Sequence, residues 1–323
     1  MRTLGLLGVW LLAVTGLAGC QDEFPLGSWG QPSTGGQGGA AQTNGGAGTA
    51  TTAGTAGGVV PLGSPSCGDI GVPGQLNASG SNASNIGTTS LYTDWSWPAP
   101  LDSLEWDLVM ETDPEKDGYY WAHQFSFVNG LTAFFGLQAH GGFQLTLDDR
   151  VVFVKMALFW ISSGELTAEL GDIQGEDARV LVVPTRGTEW TTINAKYEWS
   201  PCTVYRLRIA RDGTDPSGNV WYGAWVEDRT TTVVTKIGRM AVPADWGQLS
   251  RLSTTITTRI DDKPPAVTAC DQPEPASAIF GVPSGNDGQL LPTSSNRFAS
   301  PLRCPSSRFT VLSEGVRHEI GVK

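Results

Sequence analysis

Three aromatic-rich runs within residues 118–161 constrain the fold of this chain more than any other feature. They read GYYWAHQFSF, NGLTAFFGLQAHGGFQ and VVFVKMALFWI, with turn residues such as Asn129-Gly130 between them. Large side chains recur at every second position of the first run, which places Trp121 and Phe125 on the same side. A period of two puts alternate side chains on opposite faces of a strand. We therefore expect consecutive antiparallel strands at the centre of a β-sandwich.

Further segments alternate in the same way. They read SLEWDLVMET, TVYRLRIA, VWYGAWVED, TTVVTKIGRM and LSTTITTRI, and the turn Asp215-Pro216-Ser217-Gly218-Asn219 separates two of them. Pro presets φ in such a turn, while Gly and Asn tolerate positive φ. The piece GELTAEL at 164–170 has a passably helical pattern but no cap signal. The sequence therefore predicts an all-β, antiparallel β-sandwich domain over residues 59–262.

The first twenty residues have the pattern of an export signal. Arg2 precedes an apolar run, Leu4 to Leu17, that is shorter than the ~20 residues of a membrane-spanning helix. The run ends in Leu-Ala-Gly-Cys, which resembles the bacterial lipobox and implies cleavage after residue 19 and lipidation of Cys20. The alternative is an ordinary secretory signal. We expect residues 1–19 to be a signal peptide and the lipid on Cys20 to hold the protein on a membrane, with the outer membrane or cell surface favoured.

Residues 20–58 have the composition of a tether. GGQGGAAQTNGGAGTATTAGTAGG is Gly, Ala and Thr with almost no charge. Such a segment cannot bury enough apolar surface to offset its ordering entropy. We expect a disordered spacer between the lipid and the folded domain.

The C-terminal segment, residues 263–323, departs from the strand pattern. Pro264-Pro265 introduces it, and Cys270 and Cys304 bracket a Pro/Gly/Ser-rich stretch. Four cysteines, Cys67, Cys202, Cys270 and Cys304, remain besides Cys20, and an exported chain favours their pairing. Of three possible connectivities we favour Cys270–Cys304 with Cys67–Cys202. The prediction is an irregular, disulfide-braced extension packed on the sandwich.

Charge and composition exclude some partners. The formal net charge is −11 and the acids are spread along the chain. Without a stripe of Lys and Arg to meet phosphates, a nucleic-acid partner is not expected. The same argument excludes an electrostatic hold on anionic lipid. The sequence leaves the oligomeric state open.

Short motifs spread from Asp94 to Asp262 carry a likeness to a known family. They are Tyr120-Trp121-Ala122-His123-Gln124-Phe125, Gly136-Leu137-Gln138, Leu158-Phe159-Trp160, Tyr205-Arg206-Leu207, Trp221-Tyr222-Gly223-Ala224-Trp225-Val226, Ile237-Gly238 and Trp246-Gly247. In this order they resemble an extracellular, mostly bacterial family catalogued as a domain of unknown function, which tends to occur beside carbohydrate-related modules. The resemblance implies a jelly-roll or concanavalin-like sandwich. It implies no catalytic residues.

Metal and cofactor signals are weak. The three histidines, His123, His140 and His318, do not have the spacing of zinc ligands, so we expect no metal centre and no cofactor. A structural calcium ion is the alternative, because loop carboxylates and amides suit it. The candidate ligands are Asp172, Glu176 and Asp177, or Asn286 and Asp287.

Candidate catalytic groups have simpler explanations. No Gly-x-Ser-x-Gly elbow occurs, and the cysteines are better explained as disulfides than as nucleophiles. Carboxylates on or at the ends of predicted strands are Glu105, Asp107, Glu111, Glu165, Glu227 and Asp228. Two of these carboxylates facing one groove would suit a glycosidase or lyase. The alternative is that they lie on the solvent-exposed face of a strand and have no catalytic role. His123 or His140 beside Tyr119 or Tyr222 would suit a lyase, although His123 among aromatics is more typical of a core residue.

Tryptophan abundance favours sugar binding. The apolar C–H face of a pyranose stacks on an indole, while side-chain amides bind its hydroxyls. We expect Trp95, Trp97 and Trp190 to be exposed, and Trp121, Trp160 and Trp225 to fill the core. The candidate ligand-binding residues are Trp95, Trp97, His123, Gln124, Gln138 and Trp190. The predicted function is glycan binding by a cell-surface lipoprotein. The alternatives are a polysaccharide-active hydrolase or lyase, and a structural or adhesive surface protein without a small-molecule site.

Overall fold

A computed structural model describes residues 74–75, 89–115, 119–144, 151–164, 166–185, 188–250, 254–260, 275–299, 307–312 and 315–320. The strands in these residues are β1 (Gly74–Gln75), β2 (Thr89–Ser96), β3 (Ser103–Met110), β4 (Tyr119–Ser126), β5 (Thr132–Gln144), β6 (Val151–Ile161), β7 (Ala168–Leu170), β8 (Ala178–Thr185), β9 (Thr188–Lys196), β10 (Val204–Thr214), β11 (Val220–Asp228), β12 (Val233–Val242), β13 (Thr254–Ile260), β14 (Ala276–Gly281), β15 (Ser284–Gly285), β16 (Ser294–Ala299), β17 (Ser307–Leu312) and β18 (Gly315–Ile320). Two single-turn 3₁₀ helices span Gly175–Asp177 and Ala244–Trp246.

These strands form two sheets. The ten-stranded sheet has the order β1-β17-β18-β14-β3-β10-β11-β12-β7, with β15 also paired to β3. The eight-stranded sheet has the order β16-β2-β13-β4-β5-β6-β9-β8. Neighbouring strands run antiparallel in both sheets. The predicted all-β, antiparallel and sandwich-like fold is confirmed.

The core lies between the inner faces of the two sheets. In β4 the predicted alternation holds, because Tyr119, Trp121 and Phe125 all belong to the buried cluster. Trp121 packs edge-on against Trp199, with 5.4 Å between ring centroids. Truncating one such buried ring to alanine typically costs about 3–5 kcal/mol, so these contacts carry much of the stability. Trp106 of β3 belongs to the same cluster and comes from the opposite sheet.

Two segments are more regular than predicted. The piece with a helical pattern contributes β7, whose Glu169 pairs with Arg239 of β12. The C-terminal segment was expected to be irregular, but its described residues form β14 to β18 and belong to both sheets. β14 lies between β3 and β18, and β16 pairs with β2. Hydrogen bonds from neighbouring strands stabilise these short runs, whose Ser and Gly content hides the two-residue period.

Several predictions concern residues outside the described ranges. The signal peptide, Cys20, the tether, Cys67, Cys270 and Cys304 all fall there. Cys202 is described and takes part in a disulfide. Its partner lies outside the described residues, so the connectivity stays a prediction. Within the described ranges, no helix is long and apolar enough to cross a bilayer.

Candidate binding groove

The three tryptophans expected at the surface are buried. Trp95 is 7% exposed, and Trp97 and Trp190 are each 4% exposed. Trp95 and Trp97 belong to the core cluster. Trp190 lies on the outer face of the eight-stranded sheet but is covered by its neighbours, with its ring centroid 4.7 Å from that of Trp160. The expectation of exposure was wrong because it rested on loop-like sequence surroundings, whereas Trp95 and Trp190 lie within strands.

The two glutamines lie on the outer face of the eight-stranded sheet, which also carries aromatic side chains. Gln124 pairs with Phe134, and Gln138 pairs with Tyr120, at outward positions of the eight-stranded sheet. Both glutamines are half-buried. The structure therefore brings Gln124, Gln138 and Trp190 to one face. It places Trp95, Trp97 and His123 in the core instead, so the six predicted residues do not form one site.

His123 is enclosed by the core. It is 0% exposed, and its ring centroid lies 4.7 Å from that of Trp106. Neither ring nitrogen has a hydrogen-bond partner. Burial lowers the pKa of His123 to about 3, so the ring is neutral at physiological pH. A polymer cannot reach it, which corrects its assignment as a ligand-binding residue.

Burial also rules out Tyr119 and Tyr222 as acid–base partners of a histidine. Tyr119 and Tyr222 are 1% and 0% exposed. Burial raises the pKa of Tyr222, whose hydroxyl accepts a hydrogen bond from Arg211 Nε at 3.4 Å. The side chain of His140 lies outside the described part of the structure. His123 and these two tyrosines are therefore core residues rather than acid–base partners.

The predicted strand carboxylates have partners on the outer face of the ten-stranded sheet. Asp107 accepts two hydrogen bonds from Arg206, at 2.8 and 3.2 Å. Glu105 accepts one from Ser284 Oγ at 3.0 Å. Glu111 pairs with Arg317 at 2.8 Å. Glu105 and Asp107 share a face as predicted.

The remaining carboxylate candidates are also engaged. Glu227 pairs with Arg229 at 2.9 Å, and Asp228 accepts a hydrogen bond from Thr230 N at 2.8 Å. Glu165 lies outside the described residues. The pairing of the described candidates supports the simpler interpretation of a polar strand face.

A groove of about 340 Å³ opens on the outer face of the ten-stranded sheet. Its floor is Ser103 of β3 and Ala210 of β10, which pair across the two strands. Its walls carry Asp102, Arg208, Arg211, Asn286, Asp287 and Gln289. Small residues on the floor and long polar side chains on the walls create the depression. It offers carboxylate, amide and guanidinium groups within one concave surface.

The turn after β15 forms one wall of this groove. Asn286 and Asp287 both have positive φ, 52° and 55°, in the left-handed region that Asn and Asp tolerate better than other non-glycine residues. The turn is fastened to the floor, because Asn286 Oδ1 accepts from Asp102 N at 2.7 Å and Asp287 N donates to Ser103 Oγ at 2.9 Å. Backbone held in this region clusters at functional sites in proteins.

Ion pairs set the charge of the groove. Arg208 Nη2 lies 2.7 Å from Asp287 Oδ1, and Arg211 Nε lies 3.2 Å from Asp102 Oδ1. The hydrogen bond from Arg208 lowers the pKa of Asp287, with a further contribution from Ser103. Asp287 is therefore ionised at neutral pH, and its carboxylate acts as a hydrogen-bond acceptor rather than as a proton donor.

Trp225 lies beside Arg208 of the groove wall, and the sequence did not predict this position. It lies between Arg208 of β10 and Lys236 of β12 in the sheet register, and it is half-buried on the outer face. The Arg208 guanidinium carbon and Lys236 Nζ lie 5.4 and 5.5 Å from its ring centroid. Trp225 was expected in the core, but the alternation of β11 already carried the contrary signal, because Ala224 and Val226 point inward.

Gly223 determines how close the indole lies to the groove. A Cβ atom on Gly223 would come within 2.2 Å of Trp225 Cη2, so the far edge of the indole lies directly above this glycine. Gly223 pairs with Ala210 of the groove floor. The indole therefore lies next to the groove floor, and we call the groove together with Trp225 the Trp225 groove.

Three carboxylates among the predicted calcium ligands are engaged with protein groups. Asp287 pairs with Arg208, Asp177 with Lys196 at 2.6 Å, and Asp172 accepts from Lys236 N at 2.6 Å. The residues that the structure describes contain no group of three or more His, Cys, Asp or Glu placed to hold a metal ion. A structural calcium ion and the absence of a cofactor both stay predictions.

Comparisons with known proteins assign no family. No family model and no curated protein matches the chain. A crystal structure of Scytalido-glutamic peptidase with a peptide-based transition-state analog is similar at 8% sequence identity, over 74% of this chain and 100% of that chain, with a TM-score of 0.35. A likeness at this score carries no argument about fold or function. The resemblance to a domain-of-unknown-function family stays a prediction.

Proposed function

We propose that this protein binds glycan at a bacterial cell surface, to which the lipid on Cys20 anchors it. Binding takes place in the Trp225 groove of the ten-stranded sheet. The observation that carries the proposal is the position of the Trp225 indole beside a groove of polar side chains. The anchor rests on the Leu-Ala-Gly-Cys motif and the tether that follows it.

The chemistry of the Trp225 groove suits a sugar. An indole presents an apolar face to the C–H groups of a pyranose ring, and burying that face removes apolar area from water. The carboxylate of Asp287 and the amide oxygen of Gln289 accept hydrogen bonds from sugar hydroxyls, while Arg208 N–H groups donate to hydroxyl oxygens. Specific sites of this kind combine one apolar platform with a few convergent polar groups.

The state of the carboxylates supports binding rather than hydrolysis. A glycosidase of the usual type needs one carboxylic acid that is protonated near neutral pH. Asp287 and Asp102 are instead paired with Arg208 and Arg211, and the pKa of Asp287 is lowered. These groups are suited to holding hydroxyls in place.

A glycan array with the purified full-length protein tests the proposal, followed by titration calorimetry with the best oligosaccharide. Trp225→Ala is expected to weaken binding by about tenfold or more, equivalent to ~1.4 kcal/mol or more. Trp160→Ala is the matched control, because Trp160 is also half-buried but lies on the outer face of the other sheet. If Trp225→Ala retains binding and Trp160→Ala loses it, the site lies on the eight-stranded sheet, which would contradict the proposal. Reducing-end release on the same glycans checks for hydrolysis.

A further inference from the structure

The positively charged side chains around the Trp225 groove already have carboxylate partners. From this charge balance we infer that the groove selects neutral glycans and discriminates against uronic-acid and sulfated glycans. The inference rests on the proposed glycan binding and adds the chemical class of the ligand. It follows from ion pairs at the groove, around the indole and along the adjoining strands.

Within the groove, both guanidinium groups are neutralised. Arg208 pairs with Asp287 at 2.7 Å and Arg211 pairs with Asp102 at 3.2 Å. Asp287 is further fixed by Ser103 Oγ, which donates to its Oδ1 at 3.1 Å. An acidic sugar would have to displace one of these carboxylates or lie beside it. Because both pairs are exposed, displacement would only exchange one charge-assisted hydrogen bond for another, so an acidic sugar gains little from these guanidinium groups.

The cations next to the indole are neutralised as well. Lys236, which lies over Trp225, has its Nζ 2.5 Å from Asp212 Oδ2. Arg239 on the same strand pairs with Glu169 at 2.6 Å and lies 3.6 Å from Asp212. A glycan that extends from the groove past Trp225 therefore meets a second set of cations whose charges carboxylates already balance.

The adjoining part of this face continues the pattern with Arg206–Asp107 and Arg229–Glu227. Among the described residues around the Trp225 groove and on the strands beside it, the cations are Arg206, Arg208, Arg211, Arg229, Lys236 and Arg239. The carboxylates are Asp102, Asp107, Asp212, Asp287, Glu169 and Glu227, together with Glu105, which is directly paired with Arg208 in the register of β3 and β10. Carboxylates thus outnumber cations, and the whole chain carries a net charge of −11. Like charges repel an anionic ligand from such a surface.

A neutral sugar meets no such opposition. An ionised carboxylate has about four acceptor positions and a guanidinium has five N–H donors, so an ion pair at this surface keeps capacity for further hydrogen bonds. Hydroxyl groups both donate and accept, which allows them to bind Asp287 and Arg208 without separating the pair. The indole of Trp225 contributes apolar contact that is independent of charge.

Matched polymers with the same backbone test the inference on the full-length protein. Suitable pairs are dextran with dextran sulfate, and hydroxyethylcellulose with carboxymethylcellulose. In at least one pair we expect the neutral member to bind about tenfold tighter. Its affinity should change by less than about twofold between about 50 and 500 mM salt, because no ion is exchanged on binding.

Two variants sharpen the test. Asp287→Asn and Asp102→Asn keep the shape of the side chain but leave Arg208 or Arg211 without its counter-charge. Each is expected to raise the affinity for the charged polymer about fivefold or more at low salt, with the thermal midpoint used to confirm folding. Tighter binding of the charged members by the unmodified protein, with strong salt dependence, would overturn the selectivity alone. No binding to either member of any pair, nor to any glycan on the array, would overturn the proposed function itself.

Discussion

The far edge of the Trp225 indole lies directly above Gly223, two residues earlier on the same strand. Because glycine has no Cβ atom, the ring can lean along the strand toward the groove floor at Ala210. Arg208 and Lys236, on the two neighbouring strands, flank the ring. One glycine thus determines that the indole borders the groove instead of projecting away from it.

The variant Gly223→Ala tests this positioning role. The added methyl group would come within 2.2 Å of Cη2, so the indole has to move. Glycan affinity is expected to fall about two- to tenfold, the range of a lost aromatic contact, with a change in tryptophan fluorescence and little loss of stability. The double variant Gly223→Ala, Trp225→Ala should bind no more weakly than Trp225→Ala alone, because Gly223 acts through the indole. Additive losses in this double-mutant cycle would show that Gly223 acts by another route.

The buried histidines predict acid sensitivity. Burial lowers the pKa values of His123 and His318 to about 3, below the usual 6.5. Between these values the unfolded chain binds protons that the folded chain does not, so stability falls as pH falls from about 6.5 toward 3. Each histidine contributes a slope of about 1.4 kcal/mol per pH unit. Urea denaturation between pH 7 and pH 4 measures this slope.

Replacing each histidine separates the two contributions. His123 lacks a hydrogen-bond partner, so His123→Phe should flatten the slope by about 1.4 kcal/mol per pH unit with little loss at pH 7. His318 Nε2 lies 2.9 Å from Thr93 Oγ1 and joins the two sheets. His318→Phe should flatten the slope equally but cost about 1–3 kcal/mol at pH 7, because Thr93 loses this bond. An unchanged slope in His123→Phe would contradict the neutral, buried assignment.

The Arg206–Asp107 pair has a structural role. Asp107 is 5% exposed and receives two hydrogen bonds from Arg206. Asp107→Asn leaves the guanidinium short of its counter-charge and is expected to destabilise the fold by about 1–3 kcal/mol in urea denaturation. The double variant Asp107→Val, Arg206→Leu should recover most of that loss, since an apolar pair replaces the ion pair. If Asp107→Asn leaves the free energy of unfolding unchanged but alters glycan affinity, Asp107 belongs to the binding site instead.

The sequence predicted the sandwich because alternation is a local property. The runs at β4, β10 and β11 show which side chains point inward, as Trp121 and Leu207 confirm. The binding residues were harder to predict because the groove is assembled from β3, β10, β11 and the turn at Asn286, which are distant in sequence. Exposure also depends on what packs above a strand. Trp190 is covered by Phe134 and Trp160, whereas Trp225 lies at the open face beside Gly223.

The C-terminal strands are expected to be essential for folding. β14 is the neighbour of β3 in the ten-stranded sheet, with Ile279 paired to Val109 and Phe280 to Leu108. Truncation after Asp262 would expose the apolar edge of β3 and uncover part of the core, which favours aggregation. We expect no soluble protein with a cooperative thermal transition. A truncated chain that folds with the thermal midpoint of the full protein would contradict the described sheet order.

The most direct measurement is a crystal structure of the protein with the neutral oligosaccharide that binds most tightly on the array. We expect a pyranose ring against the face of Trp225, with hydroxyl groups within hydrogen-bond distance of Asp287 or Arg208. A sugar seated over Phe134, Trp160 and Trp190 on the opposite sheet, with the Trp225 groove empty, would contradict it.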